Sequence, residues 1–385
     1  MTHAPEQTDQ SRYPGKLRIL KSVKALDTGL RGKQDNFLLL RLLAAALVIY
    51  RHGGAVTGGS GFRDLLPWLG WGIDSGKLAV DMFFVVSGFM ITGSYLRRKH
   101  LFDFLWARIL RIFPAYLFCL VVSSFVLGAV YTNMPTSAYL KDPVVLNYVI
   151  QNIKLQTHMA WQLPGVFVDN PKLDTINGSI WTLPAEARMY LWAAALGLFG
   201  ALSRRWLGSL VIAALLLLGI FLPNSAILML PDIYLHIAAM FALGALCYLH
   251  RCIIPIGWPC VAVLGVTAYL LRDTAVYPYA FGITLAQFCF SFAYCTPWHG
   301  YNRFGDYSYG LYIWGFPMQQ VIAHHFPTLP PLANSLMAFP LALSLGILSW
   351  HAIEKPALKL KRVPAQLWKK WATRYRWIQF IKRIA

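Results

Sequence analysis

Arg41 and His52 bracket an apolar run, Arg41-Leu-Leu-Ala-Ala-Ala-Leu-Val-Ile-Tyr-Arg-His52. In an α-helix, eleven steps of about 100° return His52 to within roughly 20° of Arg41, about 16 Å further along the axis. The two side chains then share one helix face, roughly half a bilayer core apart. An arginine inside an apolar span is expensive and faces a partner or a water-filled cavity. A histidine on the same face adds a group that titrates near neutral pH, so the cavity is a candidate for proton transfer.

The elements that must position these groups follow from composition. The 385 residues are 57% hydrophobic and 13% charged, too apolar for the surface of a soluble domain. The fold class is therefore all-α polytopic membrane protein. The formal net charge is +19, with the basic residues gathered in tails and short loops, a membrane-facing pattern. No basic groove interleaved with aromatics points to a nucleic-acid partner. Six cysteines show no Cys-x-x-Cys or His/Cys cluster, so no zinc or other metal is expected, and none lies in the loops placed outside. About 35 polar residues precede the first apolar run, so no ordinary cleavable signal peptide is expected.

Ten apolar spans are predicted, near 37–55, 78–96, 109–131, 181–200, 207–222, 233–250, 256–271, 278–296, 307–326 and 332–352. They form a bundle of about ten transmembrane helices within residues 36–356. Residues 1–35 form a basic N-terminal tail, in which 16–31 could lie as a helix on the membrane surface. Residues 357–385 form a second basic tail. In it Trp368, Trp371, Tyr375 and Ile378 recur at helical spacing beside Lys369, Lys370 and Arg374, a face suited to anionic membrane lipids. One set of connections carries Arg97, Arg98, Lys99, Arg204, Arg205, Arg251 and Arg303, so the positive-inside rule places these and both termini in the cytoplasm. The opposite side carries two long loops, 56–77 and 132–180. The second contains Trp161, Pro164, Phe167, Asn170 and Asp174, a composition that suits either a cover for a polar substrate or a disordered connector.

This topology brings three titratable groups, His52, Asp81 and Glu186, to one depth near the outer ends of their helices. Singly, each also fits a satisfied buried polar residue. Together they suggest a carboxylate that orients an imidazole as general-base sites require. On the inner side Arg108 and Arg111 stand three residues apart on one helix face. Guanidinium forks suit phosphate, although Arg-x-x-Arg at a cytoplasmic helix end is also an ordinary positive flank.

Six segments, in order, resemble one family. They are Arg41 with His52; Val80-Asp81-Met-Phe-Phe-Val-Val-Ser-Gly-Phe89; Arg108-Ile-Leu-Arg111 with Phe113-Pro-Ala-Tyr116; Asn177-Gly-Ser179-Ile-Trp181-Thr-Leu-Pro-Ala-Glu186; Gly305-Asp306-Tyr-Ser-Tyr-Gly310-Leu-Tyr312; and Glu354-Lys355-Pro356. They are similar to the bacterial integral-membrane acyltransferase-3 family, the O-acetyltransferases of surface polysaccharides, over about residues 35–356. Thr182 stands where serine is common there, and Ala79 where glycine often precedes Val-Asp. The resemblance implies acyl transfer from acyl-CoA, usually acetyl-CoA, to a sugar hydroxyl of an exopolysaccharide, O-antigen or lipid-linked saccharide at the bacterial inner membrane. It implies His52 as the essential histidine, as base or acyl carrier. On this reading Asp81 or Glu186 would orient it, Arg108 and Arg111 would bind the donor's phosphates, Arg41 would stabilise the thioester oxyanion or the thiolate or hold part of CoA, and Asn177, Ser179 and Trp181 would lie at the substrate. Two other readings stay open: O-acylation of a small molecule such as an antibiotic or lipo-oligosaccharide, and proton-coupled transport. The oligomeric state is left open.

Overall fold

The computed structural model describes residues 23–32, 34–59, 61–98, 100–171, 175–221 and 234–362. In chain order the main helices are α1 (Phe37–Val56), α2 (Ser75–Arg98), α3 (Leu101–Val121), α4 (Pro143–Ile153), α5 (Leu183–Leu198), α6 (Arg205–Phe221), α7 (Leu235–Leu249), α8 (Trp258–Leu270), α9 (Tyr277–Cys295), α10 (Ser308–His325) and α11 (Pro331–Ser349). A π-helical turn, Val122–Leu127, carries α3 on to Tyr131, and a second, Trp350–Glu354, carries α11 on to Lys359.

Each of the ten apolar stretches forms a helix. Among the described residues, four are long and apolar enough to cross a membrane: Phe37–Val56, Ser75–Arg98, Leu101–Tyr131 and Pro331–Lys359. The helices α6, α7 and α8 are apolar but shorter. The protein is thus a helical membrane protein with four spans evident from length and composition, fewer than the ten expected. Short or polar-bearing helices such as α10, with Gln319, Gln320, His324 and His325, fall outside that criterion.

The chain divides into two compact units. The larger comprises 37–249 and 300–385. Here α2 and α7 pack back to back through small residues. A Cβ at Gly88 would lie 1.9 Å from the Phe241 carbonyl oxygen, and one at Gly244 2.0 Å from that of Val85. Close approach through small residues is how apolar helices associate where lipid removes the hydrophobic drive. Polar bonds add to this: Gln319 Nε2 of α10 and Ser335 Oγ of α11 both donate to the Ile49 carbonyl of α1, at 2.8 and 3.1 Å.

The long 132–180 connection is packed where it is described, which removes the reading of it as a disordered connector. Asp142 caps α4 by accepting from Val144 N at 2.8 Å, with Pro143 in the first turn. The Asn152 side chain bonds both the N–H and the carbonyl of Ala160 at 2.9 Å. Asn170 Nδ2 donates to the Gln320 carbonyl at 2.9 Å. Tyr139, Tyr148 and Phe167 are buried, while Asp174 lies outside the described residues.

The smaller unit comprises 1–36 and 250–299. Strand β1 (Lys24–Ala25) pairs antiparallel with β2 (Pro255–Ile256). Asp27 accepts from Arg251 Nε at 2.9 Å and Arg31 Nε at 2.7 Å, and Thr284 Oγ1 of α9 donates to the Leu264 carbonyl of α8 at 3.0 Å. Of the surface helix expected over 16–31, residues Leu26–Arg31 are helical and 16–22 lie outside the described residues. The amphipathic tail face of Trp368, Trp371, Tyr375 and Ile378 lies outside them too.

Candidate active site

A cavity of about 400 Å³ opens inside the larger unit, between α1, α2, α3, α5, α10 and the turn that follows α11. Arg41, Arg108, Arg111, Glu186, Tyr190, Asp306 and Lys361 bring charge and hydroxyl groups to its wall, and Phe83, Phe84 and Ile112 make it partly apolar. Along α10 the lining begins at Asp306 just before the helix and continues through Tyr309 to Tyr312.

One end is built on an ion ladder. Asp306 Oδ2 accepts from Arg41 Nη1 at 2.7 Å and from Arg111 Nη2 at 2.5 Å. Arg111 Nη1 reaches Glu354 Oε2 at 3.0 Å, and Ser349 Oγ donates to Glu354 Oε1 at 3.1 Å. The Arg111 guanidinium also lies 5.6 Å from the Tyr309 ring centre and 5.9 Å from that of Trp350. The loop places Asp306 by a backbone device. Gly305 has φ +125°, a region L side chains rarely adopt, and a Cβ there would lie 2.3 Å from Trp350 Nε1. Burial alone would raise the Asp306 carboxyl. Arg111 and Arg41, with the Ser308 hydroxyl at 2.5 Å, outweigh it and hold the carboxyl below the ordinary range.

Arg108 differs from its neighbour in the Arg-x-x-Arg pair. Among the described residues no carboxylate comes within ion-pair distance of it, and its Nε is buried without a hydrogen-bond partner. It lies over the Tyr190 and Phe104 rings at 5.8 and 6.0 Å. Glu186, in the first turn of α5, accepts from the Tyr190 hydroxyl. Glu186 therefore belongs to the arginine-lined cavity.

His52 stands apart from that cavity. Its ring meets Phe316 edge-on at 5.2 Å, one helical turn along α10 from Tyr312. The expected cluster of His52 with Asp81 and Glu186 does not assemble through direct contacts. Asp81 is bound instead by His236 Nε2, 2.8 and 2.9 Å from its two oxygens. His52 Nδ1 is buried without a partner, as is Ser179 Oγ. The segment 177–182 closes around the same ring of Phe316, since a Cβ at Gly178 would lie 2.7 Å from it. Asn177 is spent on protein partners: its Nδ2 donates to the Ile313 carbonyl at 2.9 Å, and its Oδ1 accepts from Ser179 N at 3.1 Å. Trp181 stacks on Tyr234 with centroids 6.0 Å apart. Tyr312 donates to the Ser179 carbonyl at 2.5 Å and pairs with the Thr182 hydroxyl at 2.7 Å, tying this segment to α10.

Sequence reasoning gave no role to Asp306, Glu354, His236, Tyr190, Tyr312 or Lys361. A signal for the carboxylates was available. The chain has 16 acidic residues against 35 lysines and arginines, so an acid beside an apolar span should hold a partner. No group of three or more His, Cys, Asp or Glu residues suited to a metal occurs among the described residues.

The arginine-lined, partly apolar cavity thus lies among the helices of a membrane protein. The comparisons state the class: residues 35–351 match the acyltransferase-3 family, described as an acyltransferase domain, and the chain belongs to that family. It is an acyltransferase. Over 339 residues it is 28% identical to a protein of Shigella phage Sf6 named O-acetyl transferase, covering 84% of this chain and 96% of that one. Over 367 residues it is 27% identical to Nodulation protein 10 of Rhizobium leguminosarum bv. viciae, covering 86% of this chain and 95% of that one. No solved structure matches.

Proposed function

We propose that this acyltransferase moves an acetyl group from acetyl-CoA to a sugar hydroxyl of an exopolysaccharide, O-antigen or lipid-linked saccharide. The observation that carries the reading is the run of the cavity. It starts at an ion ladder with an unpaired arginine, and its α10 lining stops one helical turn short of an unpartnered histidine. The name O-acetyl transferase on the phage relative supports acetyl as the group transferred.

The protein sits in the bacterial inner membrane, crosses it about ten times and keeps both termini in the cytoplasm, in line with its loop charges. The donor enters from the cytoplasmic side and its phosphates meet Arg108. Arg41 lines the path of the pantetheine arm, and Arg111 holds Asp306 and Glu354 in place. The thioester passes Phe83 and Tyr312 towards His52. There the imidazole takes the proton of the sugar hydroxyl, the hydroxyl oxygen bonds to the acyl carbon, the carbon–sulfur bond breaks, and the departing thiolate takes the proton back from the imidazolium to leave as CoA thiol. Ser179 Oγ, otherwise without a partner, meets the acceptor, and Asn177 and Trp181 fix the turn that presents it. Glu186 fixes Tyr190 and sets the charge beside Arg108. Asp81 orients His236.

The test is purified protein in proteoliposomes, given acetyl-CoA labelled in the acetyl group and a saccharide acceptor. Label appearing in carbohydrate together with free CoA thiol is the expected result. Absence of CoA-dependent transfer to any carbohydrate of an acceptor panel would overturn the reading.

A further inference from the structure

The cavity's charge is unbalanced at one place. Arg41 and Arg111 are neutralised by Asp306 and Glu354. Arg108 and Lys361 line the same cavity with no carboxylate within ion-pair distance among the described residues. Lys361 comes from the turn Leu360–Arg362, beyond the residues that match the family. That turn is pinned to α3, because Trp106 Nε1 donates to the Leu360 carbonyl at 3.1 Å. Arg98, Lys359 and Lys361 together line an adjoining recess. Two half-buried cations, Arg108 of α3 and Lys361 after α11, thus converge beside the exposed Arg98 and Lys359, and the one carboxylate on the same wall, Glu186, stays beyond ion-pair distance of them.

Partly buried cations left unpaired are costly, and such a site is completed by an anion. The Arg108 Nε is buried and unpartnered, which marks where one hydrogen bond is missing. The donor's chemistry suits the gap: a phosphomonoester carries about −2 at neutral pH, and a pyrophosphate link adds to it. We propose that Lys361 and Arg108, flanked by Arg98, form the seat for the phosphoryl end of the donor. Arg111 lies outside this seat, its guanidinium being committed to the ladder. The assignment rests on the acetyl-CoA reading given above. Consistent with it, burial and the fields of Arg108, Arg111 and Arg98 push the Lys361 ammonium down to about 8, a strain that a phosphate would relieve.

The experiment measures binding of acetyl-CoA to the full-length protein in discs of phosphatidylcholine, comparing wild type, Lys361→Gln, Lys361→Arg and, as control, the exposed Lys355→Gln. Loss of one charge-assisted hydrogen bond should raise Kd roughly tenfold or more in Lys361→Gln. Lys361→Arg should restore most of it, and Lys355→Gln should match wild type. Pantetheine, which lacks phosphate, should bind all four alike. Equal acetyl-CoA affinity in wild type and Lys361→Gln would overturn the seat and leave the donor reading intact, whereas failure of wild type to bind acetyl-CoA would overturn both. An equal loss for pantetheine would mark Lys361 as structural and overturn the assignment. A Lys361 effect confined to discs with phosphatidylglycerol would give the seat to a lipid headgroup and overturn it likewise.

Discussion

His52 carries the chemistry proposed, and its surroundings make the role separable from packing. Gln keeps a hydrogen-bonding group but accepts no proton near neutral pH. His52→Gln should therefore insert and bind acetyl-CoA while turnover per folded molecule falls about 10²–10⁴-fold. The neighbouring Arg51 offers a control: it reaches Asp74 at 3.4 Å, lies half-exposed beside Phe62, and should tolerate Gln with turnover near wild type. Wild-type turnover in His52→Gln would refute the assignment. The two arginines of the pair should also part company. Arg108→Ala should weaken acetyl-CoA binding in a protein of normal melting temperature. Arg111→Ala leaves buried Glu354 and Asp306 short of a cation, and breaking such a pair costs about 3–5 kcal/mol, so it should lower thermal stability first. Identical behaviour of the two variants would count against the ladder. A pH titration probes the same end. Lys361 is charged below about 8, facing Arg98 of α2 and Arg108 and Arg111 of α3. The donor's phosphate stays dianionic above pH 7. Acetyl-CoA affinity should therefore fall as pH rises above about 8, and Lys361→Arg should flatten that fall. A fall of the same size in Lys361→Arg would assign the titration elsewhere.

At the scale of elements, what positions the site is mostly backbone geometry and close helix approach. Gly305→Ala would force a side chain into a left-handed backbone region and against Trp350. Such strain costs of order 1–3 kcal/mol, and the loop that carries Asp306 should shift. The expected outcome is a lower melting temperature with a larger loss of acetyl-CoA binding than Gly300→Ala, where an added Cβ meets open space. An unchanged variant would show that the Gly305 conformation is dispensable. These features also explain what the sequence could and could not say. Helix positions were legible because an apolar run of helical length has few alternatives, so α1 to α3 and α5 to α11 fall where expected. The Arg41–His52 phase was legible for the same reason, since both lie on one unbroken helix. Side-chain partners were not. Asp81 and His236 are 155 positions apart, and Arg41 and Asp306 are 265 apart. Depth alone cannot tell which of several titratable groups at one level meet. It grouped Glu186 with His52, whereas Glu186 accepts from Tyr190 one turn further along α5 and lines the arginine-bearing cavity.

At the scale of the whole molecule, orientation decides from which side the donor arrives. Arg97 and Arg98 end α2, and the cavity's cation cluster lies at that same end with Arg98, Lys359 and Lys361. The proposed orientation, which follows the Lys and Arg residues of the short loops, puts this end in the cytoplasm, where acyl-CoA is made. His100 and Lys154 are both exposed and lie at opposite ends of the predicted topology, one before α3 and one after α4. In a variant without the six native cysteines, Lys154→Cys should react with an impermeant thiol reagent in cells with a permeable outer layer and a sealed inner membrane. His100→Cys should react only after that membrane is opened. The functional counterpart uses sealed vesicles of known sidedness. Acetyl-CoA added outside should support transfer in inside-out vesicles and fail in right-side-out ones, because a polyanion does not cross the bilayer and the proposed phosphate seat opens at the Arg98 end. If the labelling pattern reverses, the donor must enter past Ser179 and His52, and Lys361 would face the wrong compartment. If labelling holds but right-side-out vesicles use external donor equally well, the cavity at the Arg98 end is not the donor's entrance, whatever its charge.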